Sequence, residues 1–179
     1  MKTVNISDFA KYVGLSLLSK ELSVSHLKLQ KILYYCQAWH MVFFGRENTL
    51  FAEKPQAWVN GPVYPSIYNE YKDKTETMRD HLKLSDFYQG SLENGFKEYA
   101  EKMNFEPDEA ELLESIILLY GEKSLNHLVF FTHTEKPWTE KREGLKPFER
   151  STAELSLDTM YSYYKERHES NRRNETHIS

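Results

Sequence analysis

The sequence has little cysteine, glycine or proline, and it lacks both a long apolar run and an excess of positive charge. Its single cysteine, Cys36, cannot form an internal disulfide, which excludes a disulfide-dense fold. The first residues, MKTVNISDFAKYVG, contain no apolar core of a signal peptide. With a net charge of −4, no overall positive field attracts nucleic acid or anionic lipid. We therefore expect an ordinary globular protein of the cytoplasm.

The most apolar segment is KLQKILYYCQAWHMVFFG, residues 28 to 45. Gln37 and His40 interrupt it, so it falls short of the roughly 18 uninterrupted apolar residues of a membrane span. Its apolar side chains recur with a helical period and cover most of the cylinder. Ser25 can cap the start of this helix and Gly45 can end it. The pattern predicts a buried helix at the centre of a domain.

The polar residues of that helix form one narrow line, because their spacings return to nearly the same angle at 3.6 residues per turn. They are His26, Gln30, Gln37 and His40. One interpretation is a solvent-facing stripe, or hydrogen bonds to neighbouring loops inside the protein. The other is a surface that recognises a partner.

Further helices are predicted on both sides of the central one. They begin at Asn5, Pro65, Phe96, Pro107, Ser124, Pro137 and Ser156. Trp138, in the short helix after Pro137, is expected to fix that helix to the domain. Only the stretch around Trp58 and Val59 has the character of a strand. The predicted fold is mainly α, a single compact domain of residues 1–167 with a small β-strand or hairpin element, and residues 168–179 are expected to form a disordered tail.

The tripeptide Asn60-Gly61-Pro62 predicts a turn after the short strand. Asn-Gly alone favours a two-residue hairpin. Pro62 biases Gly61 toward extended dihedral angles, so we expect a wider turn.

A loop held between a strand and a helix that starts at a proline is pre-organised for binding. We therefore predict a partner-binding surface that combines this turn, two tyrosines of the next helix and part of the polar line. Its residues are Asn60, Tyr64, Tyr68, Gln37 and His40. The alternative is that Asn60 and Gly61 only form the turn, while the two tyrosines are part of the core.

The sequence gives little support for catalysis, a metal site or a cofactor. Cys36 and His40 lie four residues apart on one helix, but a cysteine on an apolar face is usually a small core residue. His127 and His133 are six residues apart, which places them on opposite sides of a helix. No Gly-rich phosphate loop or paired-cysteine motif is present. We expect no catalytic residue, no metal and no cofactor.

Nucleic acid is also an unlikely partner on this pattern. The basic stretch KREGLKPFER has acidic residues between its basic ones, which is typical of a solvated mixed-charge face. Binding to duplex DNA that depends on salt concentration would favour a DNA-binding module instead.

Three segments together resemble the SocA-like antitoxin family, also called the Panacea domain. They are KLQKILYYCQAWHMVFFG, AWVNGPVYPSIYNEY and LLYGEKSLNHLVFFTHTEKPWTEKR. The resemblance covers most of residues 5 to 165. It implies a predominantly helical fold with a small β element.

The resemblance also implies a function. Proteins of this family are antitoxins, usually encoded beside a toxin, whose globular domain binds that toxin and blocks it. One member is instead an adaptor that delivers its toxin to the ClpXP protease, so a protease adaptor is an alternative, as is a DNA-binding regulator. Some members carry an added DNA-binding segment, whereas the pattern here begins within the first ten residues, and we expect no such segment.

Overall fold

Helix α2 (His26–Phe44) lies at the centre of the computed structural model, which describes residues 2–176. Fifteen of its nineteen residues are buried, as its nearly complete apolar cover predicts. Ser25 caps its start by accepting a hydrogen bond from Lys28 N (3.1 Å), and Gly45 ends it with φ of +104°. The buried central helix is therefore confirmed.

The other elements surround α2, and the mainly α fold class is confirmed. The helices are α1 (Ile6–Ser19), α3 (Pro65–Tyr71), α4 (Leu84–Phe87), α5 (Leu92–Met103), α6 (Pro107–Gly121), α7 (Leu125–Thr134), α8 (Lys136–Thr139) and α9 (Leu157–Thr176). A 3₁₀ turn, Glu140–Arg142, follows α8. The strands are β1 (Gln56–Trp58) and β2 (Gly61–Val63). Helices α1, α3, α6, α7 and α9 and strand β2 all pack against α2.

The region between α3 and α6 is more regular than its polar sequence indicates. Ser91 caps α5 by accepting a hydrogen bond from Asn94 N (3.2 Å), so this helix begins four residues before Phe96, where the pattern placed it. Its apolar face packs along α1. Aromatic contacts between Tyr12 and Phe96 (5.8 Å between ring centroids) join the two helices.

Strands β1 and β2 form an antiparallel hairpin with a two-residue loop, Val59 and Asn60, because Trp58 pairs with Gly61. The prediction of a wider turn is wrong. Gly61 takes φ of +106° and still pairs in the ladder, so the restriction that Pro62 imposes does not open the turn.

The outer edge of β1 is covered by the segment that precedes α9. Ala57 N donates to Ala153 O (2.8 Å), and Leu155 N donates to Pro55 O (2.8 Å). The hairpin therefore lies between this segment and α2, which β2 contacts.

Helix α9 continues to Thr176, whereas the sequence predicted disorder from residue 168 onward. That prediction is wrong for residues 168–176, and residues 177–179 lie outside the described residues. No glycine or proline interrupts the segment, and His168 packs against Trp39 and Phe43. Within residues 2–176, no helix combines the length and apolarity needed to cross a membrane.

Candidate partner-binding site

The two glutamines of the polar line on α2 are buried, and each binds a main-chain segment through both ends of its amide. Gln37 donates to Phe51 O (2.9 Å) and accepts from Leu50 N (2.6 Å). Gln30 donates to Tyr64 O (3.3 Å) and accepts from Tyr64 N (2.8 Å). These bonds supply partners to buried main-chain groups of the segments that lead into and out of the hairpin region.

His40 is equally enclosed, with 1% of its surface exposed. Its Nδ1 lies 2.8 Å from Asn48 O and its Nε2 lies 2.7 Å from a carboxylate oxygen of Glu109. The prediction that Gln37 and His40 face a partner is therefore wrong. Because α2 is packed on nearly every side, its polar residues face loops and helices of the same chain.

The Cys36 and His40 pair does not form a nucleophilic site. Both nitrogens of His40 are occupied by other groups, and Cys36 is completely buried. Burial raises the pKa of the Cys36 thiol far above its ordinary value, so the thiol stays protonated. Cys36 serves as a small core residue.

The two predicted tyrosines have different environments. Tyr64 is fully buried, with its ring against Phe51 at 5.1 Å, so for Tyr64 the core interpretation is correct and the surface interpretation is wrong. Tyr68 is half-buried and packs against Trp58 at 4.8 Å. The helical spacing rule fails here because Tyr64 precedes α3 in an extended conformation. Asn60 is exposed at the tip of the hairpin.

Side chains from three separate segments hold the main chain of the hairpin. Ala57 O accepts from Arg142 Nη1 (2.9 Å), Trp58 O accepts from Trp138 Nε1 (2.9 Å), and Pro62 O accepts from Lys31 Nζ (3.2 Å). These bonds join the hairpin to the 3₁₀ turn, α8 and α2. The contact of Trp138 confirms its expected role in fixing α8 to the domain. The hairpin is consequently pre-organised.

Lys31 is the residue that the sequence analysis missed. It is fully buried, and burial lowers the pKa of its amine to about 7, with a further contribution from Arg79. A Cβ on Gly61 would lie 2.5 Å from Lys31 Nζ and 2.7 Å from Thr132 Oγ1. Gly61 is thus required by space as well as by its positive φ. A lysine inside an apolar helical run was the available signal.

A cleft of about 390 Å³ opens beside the hairpin, and it contains both predicted residues that reach the surface, Asn60 and Tyr68. The cleft is lined by Trp58, Val59, Asn60, Val63, Tyr68, Met78, Arg150, Ser151 and Thr152. Met78 comes from an irregular polar segment, and Arg150 ends the stretch KREGLKPFER, which the sequence pattern indicated to be a solvated mixed-charge face. We call this feature the hairpin cleft.

The two histidines of α7 pack against aromatic rings. His133 stacks on Trp138 at 4.2 Å between ring centroids, and His127 stacks on Phe131 at 4.4 Å. In the part of the chain that the structure describes, no group of three or more His, Cys, Asp or Glu side chains has the arrangement of a metal site.

A family model described as "Antitoxin SocA-like, Panacea domain" matches residues 29–139, more than half of the chain. The chain belongs to this family. The Panacea match runs from α2 through α8, so it contains Lys31, the whole hairpin and Trp138. No curated protein and no solved structure matches the chain significantly. The family resemblance carried by the three sequence segments is confirmed.

Proposed function

We propose that the protein is an antitoxin that neutralises a cognate protein toxin, encoded nearby, by binding it directly through the hairpin cleft. Membership of the Panacea family supports a role of the toxin–antitoxin type in general. The observation that carries the proposal is the anchored hairpin, whose carbonyl groups are held by Lys31, Trp138 and Arg142 while its tip is exposed.

A surface of this kind is suited to binding because it loses little conformational entropy when a partner docks. Trp58 and Tyr68 already pack against each other, and aromatic side chains contribute strongly to interfaces. From the five predicted partner-binding residues, the proposal retains Asn60 and Tyr68 and adds Trp58, Met78 and Arg150. The mechanism is stoichiometric and steric, and it uses no catalytic residue.

The test is co-expression with the product of the neighbouring gene in a bacterial growth assay. The variant Asn60→Ala with Tyr68→Ala should lose protection while its melting temperature stays within a few degrees of the parent. The matched control is Asn174→Ala with Tyr161→Ala on α9, away from the cleft, and it should protect like the parent. Gel filtration of the purified pair should show a complex for the parent and the control.

Equal protection by the cleft variant and the control would contradict the proposed site. Absence of a complex between the parent protein and the toxin would contradict direct binding altogether.

The adaptor role of one family member provides a second measurement. If the protein blocks its toxin by binding alone, neutralisation should persist in cells that lack ClpXP, with unchanged toxin levels. Loss of neutralisation together with toxin accumulation would instead establish the adaptor mechanism.

A further inference from the structure

The walls of the hairpin cleft are mostly apolar and are held in place. Trp58 and Tyr68 meet in an edge-to-face arrangement at 4.8 Å, and Val63 is buried at the base of β2. Met78 adds a flexible thioether side chain that adapts to differently shaped groups. The cleft volume of about 390 Å³ is enough for one or two large side chains of a partner.

The charge of the cleft is opposite to that of the whole chain. Arg150 is exposed, and it is the only charged residue among the described residues that line the cleft. Among residues 2–176, no hydrogen bond or ion pair of its guanidinium group is found. In a chain with a net charge of −4, this arginine is therefore available to an external acidic group.

A second cation lies next to the cleft residue Met78 in the chain. It is Arg79, which lies close enough to Lys31 to lower the pKa of its amine. The two carboxylates next to these arginines in the chain do not pair with Arg150: Glu149 accepts from Lys146 N (3.1 Å) and Asp80 accepts from Thr77 N (2.7 Å). Neither carboxylate lines the cleft.

We propose that the hairpin cleft binds an acidic segment of the partner protein in which a large apolar side chain lies next to an Asp or Glu. The apolar side chain packs against Trp58, Tyr68 and Met78, and the carboxylate pairs with Arg150. This inference rests on the proposed function and specifies the chemistry of the partner at that site.

A nucleic acid would also be attracted to positive charge, but the observations favour a peptide. The cleft offers one free arginine rather than a row of basic groups, and most of its surface is apolar. Binding to a phosphate backbone normally requires several cationic contacts, and the described lining of the cleft supplies one. Asn60 at the rim can bond to the main chain of an extended peptide.

The experiment requires no knowledge of the toxin. A phage-displayed library of random 12-residue peptides is selected on the full-length protein, and the selection is repeated on Arg150→Glu and on Arg172→Glu. Arg172 is exposed on α9, so its substitution makes the same charge change away from the cleft. Thermal melting verifies that all three proteins are folded.

The parent and Arg172→Glu should enrich peptides with an Asp or Glu beside a large apolar residue. Binding of those peptides to Arg150→Glu should be weaker by about tenfold or more, and the difference should shrink at high salt. Enrichment of basic peptides, no enrichment, or equal binding to Arg150→Glu would overturn the proposal. So would preferential binding of single-stranded DNA or RNA over the selected peptides at the same site.

The outcome is independent of the neutralisation assay. Acidic peptides that depend on Arg150, combined with a failure to neutralise the neighbouring gene product, would reject the antitoxin function while leaving the chemistry of the cleft established. Neutralisation without any peptide selectivity would reject only the acidic segment.

Discussion

Two buried charged residues, Glu135 and Lys31, have very different surroundings. Glu135, at the start of α8, is 2% exposed, and it accepts hydrogen bonds from Tyr35 Oη (2.5 Å) and Arg167 Nη1 (3.4 Å). Lys31 is 0% exposed, and the structure gives its ammonium group one acceptor, Pro62 O at 3.2 Å. One charge is compensated by a cation and a hydroxyl, whereas the other has a single neutral carbonyl.

The difference separates two roles within one domain. The bonds to Glu135 connect α2, α8 and α9, so this region holds helices together. Lys31 fixes a hairpin with an exposed tip, although an unpaired buried charge is costly. Burial raises the pKa of Glu135 despite its donors, and it lowers the pKa of Lys31 to about 7. The first region joins helices, and partner recognition is proposed at the second.

The largest expected effect comes from Gly61→Ala, which disturbs the hairpin region directly. The new Cβ meets Lys31 Nζ and Thr132 Oγ1, and the backbone keeps a φ that alanine rarely adopts. We expect a loss of about 2 to 5 kcal/mol in the free energy of unfolding, measured by urea denaturation.

Gly144→Ala separates the two causes. Gly144 also has a positive φ, +81°, but nothing lies within 4 Å of an added Cβ. This control should lose only about 1 to 2 kcal/mol. A loss as large as that of Gly61→Ala would show that backbone strain alone explains the result and that close packing over Lys31 is unimportant.

Glu135→Ala tests the region where Glu135 joins α2, α8 and α9. The substitution leaves the buried hydroxyl of Tyr35 without its acceptor and removes the partner of Arg167. We expect a loss of about 1 to 3 kcal/mol with little effect on neutralisation. The control Glu166→Ala, on the exposed side of α9, should change stability by less than about 0.5 kcal/mol. If Glu135→Ala abolishes neutralisation at full stability, the proposed separation of roles is incorrect.

The last expected effect is a change in the pH dependence of stability for Lys31→Met. An unfolded lysine keeps its ordinary pKa of 10.5, whereas the folded value is about 7. Between these values the unfolded chain binds more protons, so this group makes stability rise with pH, by up to about 1.4 kcal/mol per pH unit. Below pH 7 both states are protonated and the dependence ends.

Lys31→Met removes this contribution, so the parent should gain stability relative to the variant as the pH rises from 7 to 9. Urea unfolding at three pH values measures the difference, with the exposed Lys74→Met as a control that should follow the parent. Parallel curves for the parent and Lys31→Met would mean that the buried amine is not neutralised on folding.

The sequence was sufficient to predict most of the helices, though not α4, because periodicity and capping are local. Asn5, Ser25 and Ser124 each cap the helix that the pattern assigned to them. The site was harder to predict because burial depends on distant partners. The acceptors and donors of Gln37 lie in a loop at residues 50–51, and nothing in the spacing of the polar line identifies that loop.

The hairpin shows the same limit. Asn60 and Gly61 indicated where the hairpin turns. The length of its loop was not predictable, because Gly61 favours a tight turn and Pro62 favours a wider one. Arg150 and Met78 reach the cleft from two segments without periodicity, so only the folded chain brings them together.

The attachment of the hairpin through main-chain carbonyls has a consequence for how the protein can diverge. Every residue type has the same main-chain carbonyl. The bonds from Lys31, Trp138 and Arg142 therefore do not depend on which side chains the hairpin carries. The exposed Asn60 at the loop can therefore be replaced without releasing any of these three bonds. A domain built in this way can exchange its contact residues by single substitutions while its scaffold stays intact, which gives new binding specificities a short mutational path.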